Sequence, residues 1–203
     1  MGRKSDAGDR ILAAGAKLFG QRAYASIGVA EISAEAGVPK GSFYYFFPSK
    51  QSLALAVVNR HWEQQRAEWL RILTAPDSLA DRLRALFVST AEVQRQAVTG
   101  TGAVVGCLFG NLALEVSGQD DPVRARLQEI FEEQIDIVEA AIRRDDEAGV
   151  PSGMPPREAA KAIVAQIEGM VLFAKLFNDP GQLDPLWRNS MRLLGLEEAP
   201  TAA

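Results

Sequence analysis

Apolar residues recur at spacings of three and four along the chain, a period that predicts an all-α protein of about nine helices. Ile11, Leu12, Ala16, Leu18 and Phe19 mark a first helix over residues 9–22, and Val29, Ile32 and Ala36 mark a short second one. Gly37 ends the second helix, because the position just past a helix is commonly left-handed and glycine adopts that conformation at no steric cost. Pro39 suits the first position of a third helix, which runs to Phe46 with Phe43 and Phe47 turned inward. Ser49 is the expected N-cap of a long helix over residues 50–73. Thr74-Ala-Pro-Asp stops it, and Asp77 or Ser78 starts the next helix, with Leu79, Leu83, Leu86, Phe87 and Thr90 on one side, fading near Val98.

Over residues 100–118 the glycines Gly102, Gly106 and Gly110 fall at steps of four, which predicts a short helix with one thin face. A dinucleotide fingerprint from Gly100 needs a glycine where Val105 stands, so that reading is set aside. Pro122 opens a helix to about residue 148, with Val123, Leu127, Ile130, Phe131, Ile135, Val138 and Ile142 inward. Apolar helices over residues 157–177 and 183–194 follow. The domain division expected from this pattern is a helix-turn-helix domain at 1–50, a helical second domain at 51–196, to which the family resemblance given below assigns ligand binding and dimerisation, and a disordered tail at 197–203.

Charge sharpens the division. The net charge of −4 looks wrong for a partner of nucleic acid, yet residues 1–50 carry seven Lys/Arg against four acids while the remainder carries 15 against 22. The basic end is thus the nucleic-acid end. Its third helix, on the order of 12 Å long, fits a major groove and presents Lys40, Ser42, Tyr44 and Tyr45, groups that suit phosphates and base edges. Arg3 and Lys4 extend this charge as a basic arm. One cysteine, Cys107, and one histidine, His61, exclude an internal disulfide and a structural zinc site, so no metal, cofactor or catalytic centre is expected. No apolar run reaches the ~18 residues of a membrane span, and the start lacks the apolar core of a signal peptide, so a cytoplasmic location is expected.

The run AEISAEAGVPKGSFYYFFPSKQSL resembles the signature of the TetR family of regulators: a helix with an isoleucine, an Ala-Gly-Val turn, a Lys-Gly-Ser start, a Tyr, a Phe and a Lys in this order. The resemblance implies that Lys40, Gly41 and Ser42 meet DNA and that Tyr44 and Lys50 hold phosphates. Three positions depart from the pattern. Ile27 stands where a capping threonine is common, so Ser26 or the Gly28 backbone must serve instead; Phe46 replaces a His or Tyr; Pro39 replaces a Ser. The resemblance further implies a homodimer on a double-stranded operator, with recognition helices about 34 Å apart. It also implies pairing of the last two helices across a two-fold axis, for which Ile163, Ile167, Val171, Trp187, Met191 and Leu194 are the candidates. Burial of these residues inside one chain is the alternative.

Two forms of small-molecule effector site are open. Trp62, Trp69, Phe87, Phe109, Phe131, Met170, Phe173 and Phe177 offer the walls of an apolar pocket, with Asn111 or Glu115 as the polar group. Alternatively, Gly106-Cys107-Leu108-Phe109-Gly110-Asn111-Leu112, with Glu115 a turn later, resembles the motif of TetR regulators that respond to reactive electrophiles. A helix start favours the thiolate of Cys107, and Lys175 favours it further if the fold brings the two together. An inert, buried Cys107 and a snorkelling Lys175 are the opposing expectation. A small thiol enzyme lacks a nearby base, since His61 lies on a different helix. A scaffold that has lost DNA binding rests on Ile27 and Phe46 alone.

Overall fold

The computed structural model describes residues 6–116, 121–145 and 151–196. Among these, nine α-helices form: α1 (Ala7–Gln21), α2 (Val29–Glu35), α3 (Lys40–Phe46), α4 (Lys50–Leu73), α5 (Leu79–Thr101), α6 (Leu108–Val116), α7 (Asp121–Arg143), α8 (Pro156–Phe177) and α9 (Leu186–Leu194). The basic arm at Arg3 and Lys4, the tail at 197–203 and the expected continuation of α7 to residue 148 lie outside the described residues. The chain gathers into two compact units, one of Met1–Gln64 with Cys107–Glu129, the other of Gln65–Gly106 with Ile130–Ala203. The expected division after residue 50 follows the chain, whereas the first unit takes up α6 from far along it.

In the first unit α1 packs on α2 and α3. Ile11, Ile32 and Phe43 have no exposed surface, and Phe19 and Ile27 have almost none. Each such fully buried side chain contributes about 1.5–3 kcal/mol of transfer free energy. Lys17 pairs with Glu35 at 2.6 Å, and Arg22 pairs with Glu31, so charged clips line the α1–α2 seam. α2 ends in a Schellman motif: Val38 N–H donates to Ser33 O at 3.0 Å and Gly37 N–H to Ala34 O at 3.0 Å. Gly37 takes φ +63°, the left-handed value that the motif needs. Pro39 is extended, with ψ 143°, and is the N-cap of α3 rather than its first residue, which is Lys40. Ser49 and Ser52 cap α4 reciprocally, each backbone N–H donating to the other's hydroxyl at 3.0 Å.

The second unit is built from α5, α8 and α9 with the end of α4 and most of α7. Ser78 caps α5 by accepting from Asp81 N–H at 3.1 Å. Arg82, almost fully buried, donates to Asp145 Oδ1 at 3.0 Å and to Ala141 O at 3.1 Å, while Asp145 Oδ2 accepts from Leu79 N–H at 2.8 Å. One carboxylate thus neutralises a buried cation and satisfies an orphan amide at the start of α5. Arg157 near the start of α8 grips α7 through Asp136 at 2.7 Å, Glu139 at 3.0 Å and Glu132, and these carboxylates raise its pKa.

The helix expected through Gly102 and Gly106 does not form. α5 runs on to Thr101, Gly102 caps it at φ +78°, and Gly106 sits in the following loop at φ +80°. These left-handed positions break the helical period, so the spacing of four carries no common face. Side-chain amides hold this loop instead: Gln94 exchanges two hydrogen bonds with the Gly106 backbone at 3.1 and 3.3 Å, and Asn178 bonds Val104 N–H at 2.8 Å and Gly102 O at 3.1 Å.

Candidate functional site

On α3 the two faces divide cleanly. Phe43 is fully buried, with Tyr44 packed edge-on at 5.3 Å and Phe47, half-buried, at 6.1 Å. Lys40 and Gly41 are exposed, Ser42 is half-buried, and Tyr44 and Tyr45 are 52% and 84% exposed. Such exposure of large aromatic side chains leaves their hydroxyls and ring faces available to a partner. No side chain caps α2 or α3, so their first amides are unclaimed by capping groups, as suits a phosphate.

The other described cations of residues 1–50 are engaged inside the protein. Arg10 reaches Asp6 and Gly37 O at 3.4 Å, and Lys17 and Arg22 hold α2. Lys50, expected on phosphate, gives two of its ammonium protons to Tyr24 O at 2.9 Å and Ile27 O at 3.0 Å, and lies 4.3 Å from the Tyr24 ring centroid. Tyr24 O closes a one-turn 3₁₀ helix (Tyr24–Ser26) by accepting from Ile27 N–H at 3.2 Å, and Lys50 adds a second donor there and one to Ile27 O just past the turn. It therefore positions the entry to α2. Among the described basic residues of 1–50, Lys40 is the one with no such internal partner.

Ser26 does not cap α2. Its hydroxyl donates to Ala23 O at 2.8 Å within the 3₁₀ turn, and Gly28 is the N-cap, extended at φ −99° and ψ 155°. Ile27, in place of the usual threonine, is 1% exposed and serves as a core anchor instead.

The residues expected to line one effector pocket fall into both units. In the first, Trp62 and the fully buried Phe109 meet edge-on at 6.2 Å, and His61 also meets Phe109 edge-on at 5.2 Å. Desolvation by the surrounding protein lowers the His61 pKa, although the residue keeps an exposed edge. Cys107 is half-buried at the start of α6, its Sγ accepting from Gly110 N–H at 3.5 Å, and the Asn111 N–H bonds Cys107 O at 2.9 Å. Glu115, expected as a polar pocket group, instead accepts from Ala25 N–H at 3.3 Å, joining α6 to the 3₁₀ turn ahead of α2.

In the second unit Trp69 and Phe87 are buried, and Phe131 and Met170 are half-buried. Phe173 and Phe177 line no interior: they are 47% and 61% exposed and stack on each other at 6.3 Å on the outer face of α8. Lys175 is exposed on the same helix. A surface groove of about 480 Å³ in this unit is bordered by Ile72, Arg82, Val88 and Val93 and by none of the expected aromatics.

The interface expectation also shifts. Ile163, Ile167, Val171, Met191 and Leu194 are at most 4% exposed within the single chain, and Trp187 is half-buried with the Arg84 guanidinium 5.4 Å from its ring centroid. These residues face the chain's own core because α8 packs on α9 through that face. The apolar residues left uncovered on α8 are Leu172, Phe173, Leu176 and Phe177, 47–70% exposed. Helical periodicity marks both faces as apolar and does not say which one the same chain covers.

Residues 11–57 match the family described as bacterial regulatory proteins, tetR family, and residues 80–189 match the tetracyclin repressor-like C-terminal domain. The chain is 31% identical over 170 residues to the HTH-type transcriptional regulator LmrA of Bacillus subtilis, covering 83% of this chain and 86% of that one. It is 30% identical over 123 residues to the HTH-type transcriptional repressor NemR of Escherichia coli, 60% of each chain. The crystal structure of E. coli NemR in its reduced form superimposes with a TM-score of 0.82 at 26% identity, over 93% of this chain and 96% of that one. Among the described residues no helix is long and apolar enough to cross a membrane. Domain matches in the order of the two functions, a helix-turn-helix with its polar face open, and full-length likeness to such regulators agree: the chain belongs to the TetR family of DNA-binding transcriptional regulators, which are not enzymes.

Proposed function

We propose that the protein is a homodimeric repressor that holds a pseudo-palindromic operator through α3 and releases it when an electrophile adds to Cys107. The observation that carries the DNA reading is the sorting of α3, with Phe43 buried and Lys40, Tyr44 and Tyr45 turned to solvent. Tyr hydroxyls and a lysine ammonium meet phosphates and base edges, and the uncapped helix starts add amide donors. The dimer forms through the uncovered α8 stripe of Leu172, Phe173, Leu176 and Phe177, whose aromatic and aliphatic side chains are of the kind that interfaces bury.

The effector reading rests on α6, one short helix with a thiol at its start and a grip on the DNA-binding segment at its end. The Gly110 N–H and the helix dipole both favour a negative sulfur at Cys107. The thiolate adds to the β-carbon of an α,β-unsaturated aldehyde, its lone pair forms the C–S bond, the C=C electrons move to the α-carbon, and water supplies the proton there. The thioether no longer offers the helix the same acceptor, and the first turn of α6 rearranges. Glu115 sits two turns on and holds Ala25, so the disturbance reaches the turn that fixes α2.

The test is operator retention in a gel shift, using DNA from beside the protein's own gene, for wild type and Cys107→Ser with and without an α,β-unsaturated aldehyde. Release of wild type alone supports a thiol switch. Retention by both assigns Cys107 to packing and leaves a reversible apolar ligand as the effector.

A further inference from the structure

We propose that the carboxamides of Gln134 and Gln65 are the polar pole of a buried ligand site in the second unit, one that takes an uncharged molecule with a carbonyl or hydroxyl on an apolar body. The site lies in the other unit from Cys107 and suits a reversible effector; its regulatory meaning rests on the repressor reading. Gln134, on α7, is 1% exposed, and neither its Nε2 nor its Oε1 has a hydrogen-bond partner in the protein. Gln65, on α4, buries its Oε1 equally without a partner. An amide carries two donor hydrogens and an acceptor oxygen, and native interiors leave such groups unmet only rarely.

Both glutamines interrupt apolar stripes. Along α7, Ile130, Gln134 and Val138 follow at steps of four, and Ile130 and Val138 have no exposed surface. Along α4, Gln65 is followed by Trp69 and Ile72, each 5% exposed. The stripes lie on neighbouring helices at one level: Arg66, next to Gln65, pairs with Glu133, next to Gln134, at 3.4 Å. Further along, Arg144 donates to Thr74 O at 2.7 Å, so α4 and α7 run side by side in this unit. A leucine at either glutamine would pack an ordinary core. The two amides instead leave one Nε2 and two acceptor oxygens for a polar group that arrives from outside.

The charge of the guest follows from what surrounds it. The buried cation of this unit, Arg82, has its charge met by Asp145 although its Nε lacks a partner, and neutral amides alone do not offset an ion taken out of water. An uncharged carbonyl accepts from Nε2, and a hydroxyl can also donate to Oε1. The apolar body rests on the aromatic and branched residues that flank the glutamines.

The probes are cyclohexanone and cyclohexanol, with methylcyclohexane and cyclohexanecarboxylate as controls, followed by the thermal midpoint of the full chain. Without probe, Gln134→Leu raises the midpoint by about 2–4 °C, because an unmet buried amide is replaced by a methyl pair of like size. The ketone and the alcohol raise the wild-type midpoint with concentration, the controls do not, and Gln134→Leu weakens the response at least tenfold. Gln65→Leu repeats both readouts if Gln134→Leu does not fold. A lower midpoint for the leucine variants without probe would overturn the proposal, since enclosed water or protein groups would then already satisfy the amides. So would the absence of any shift in wild type, or an equal shift in wild type and variants. None of these readouts uses DNA, so a failure of operator binding strikes the repressor reading and leaves this one standing.

Discussion

Lys40 and Lys50 lie ten residues apart in one signature and do different work. Lys40 stands exposed on α3, whereas Lys50 gives protons to Tyr24 O and Ile27 O. Lys40→Met is therefore expected to weaken operator binding with its thermal midpoint unchanged. Lys50→Met leaves Ile27 O without its donor and Tyr24 O with the Ile27 N–H alone, and costs about 1–3 kcal/mol of stability, read by denaturant titration. Equal midpoints for both variants would return Lys50 to a role on phosphate. His61 gives a pH dependence whose sign is fixed by its environment. Its folded-state pKa lies below the ordinary 6.5, so the unfolded chain takes up the proton first. That contribution to stability is complete above about pH 6.5 and is lost as pH falls below it. Midpoints at pH 7.5 and 5.5 are expected to fall less in His61→Gln than in wild type.

At the scale of elements, Asp145 joins the end of α7 to the start of α5. Asp145→Ala strands the buried Arg82 guanidinium and uncaps Leu79, with an expected loss of about 3–5 kcal/mol in a denaturant titration. A loss below 1 kcal/mol would mean that the ion pair is as weak as an exposed one. The helices themselves were legible in the chain: Gly37, Ser78 and the apolar repeats mark ends and faces through local chemistry, and α4 was bounded at both ends by Ser49 and Thr74-Ala-Pro-Asp. Less legible was what depends on distant partners. Gly102 and Gly106 fall on a helical period yet serve a loop held by Gln94 and Asn178. Glu115 looked like a pocket group because no local pattern announces its bond to the Ala25 amide. Gln134 had a signal that was available, a single polar residue at a core position of an otherwise apolar stripe.

For the whole molecule, dimerisation decides function, because two recognition helices must meet successive major grooves at about 34 Å. In the proposed dimer the uncovered α8 face of Leu172, Phe173, Leu176 and Phe177 takes the place of the set first expected there, which the single chain already buries. Leu176→Glu is expected to give a monomer by light scattering and to bind operator at least tenfold more weakly, while keeping its helical circular dichroism. A dimer that survives this change would place the interface elsewhere.

In the proposed repressor α3 reads DNA through its open face. The most direct measurement is fluorescence anisotropy with a duplex from beside the protein's own gene, titrated with wild type and Lys40→Met at two salt concentrations. Two protomers per site, tighter binding than to a scrambled duplex, weakening as salt rises, and a smaller salt slope for Lys40→Met are expected. Wild-type binding no tighter than to the scrambled duplex, or identical salt slopes for the two proteins, would contradict it.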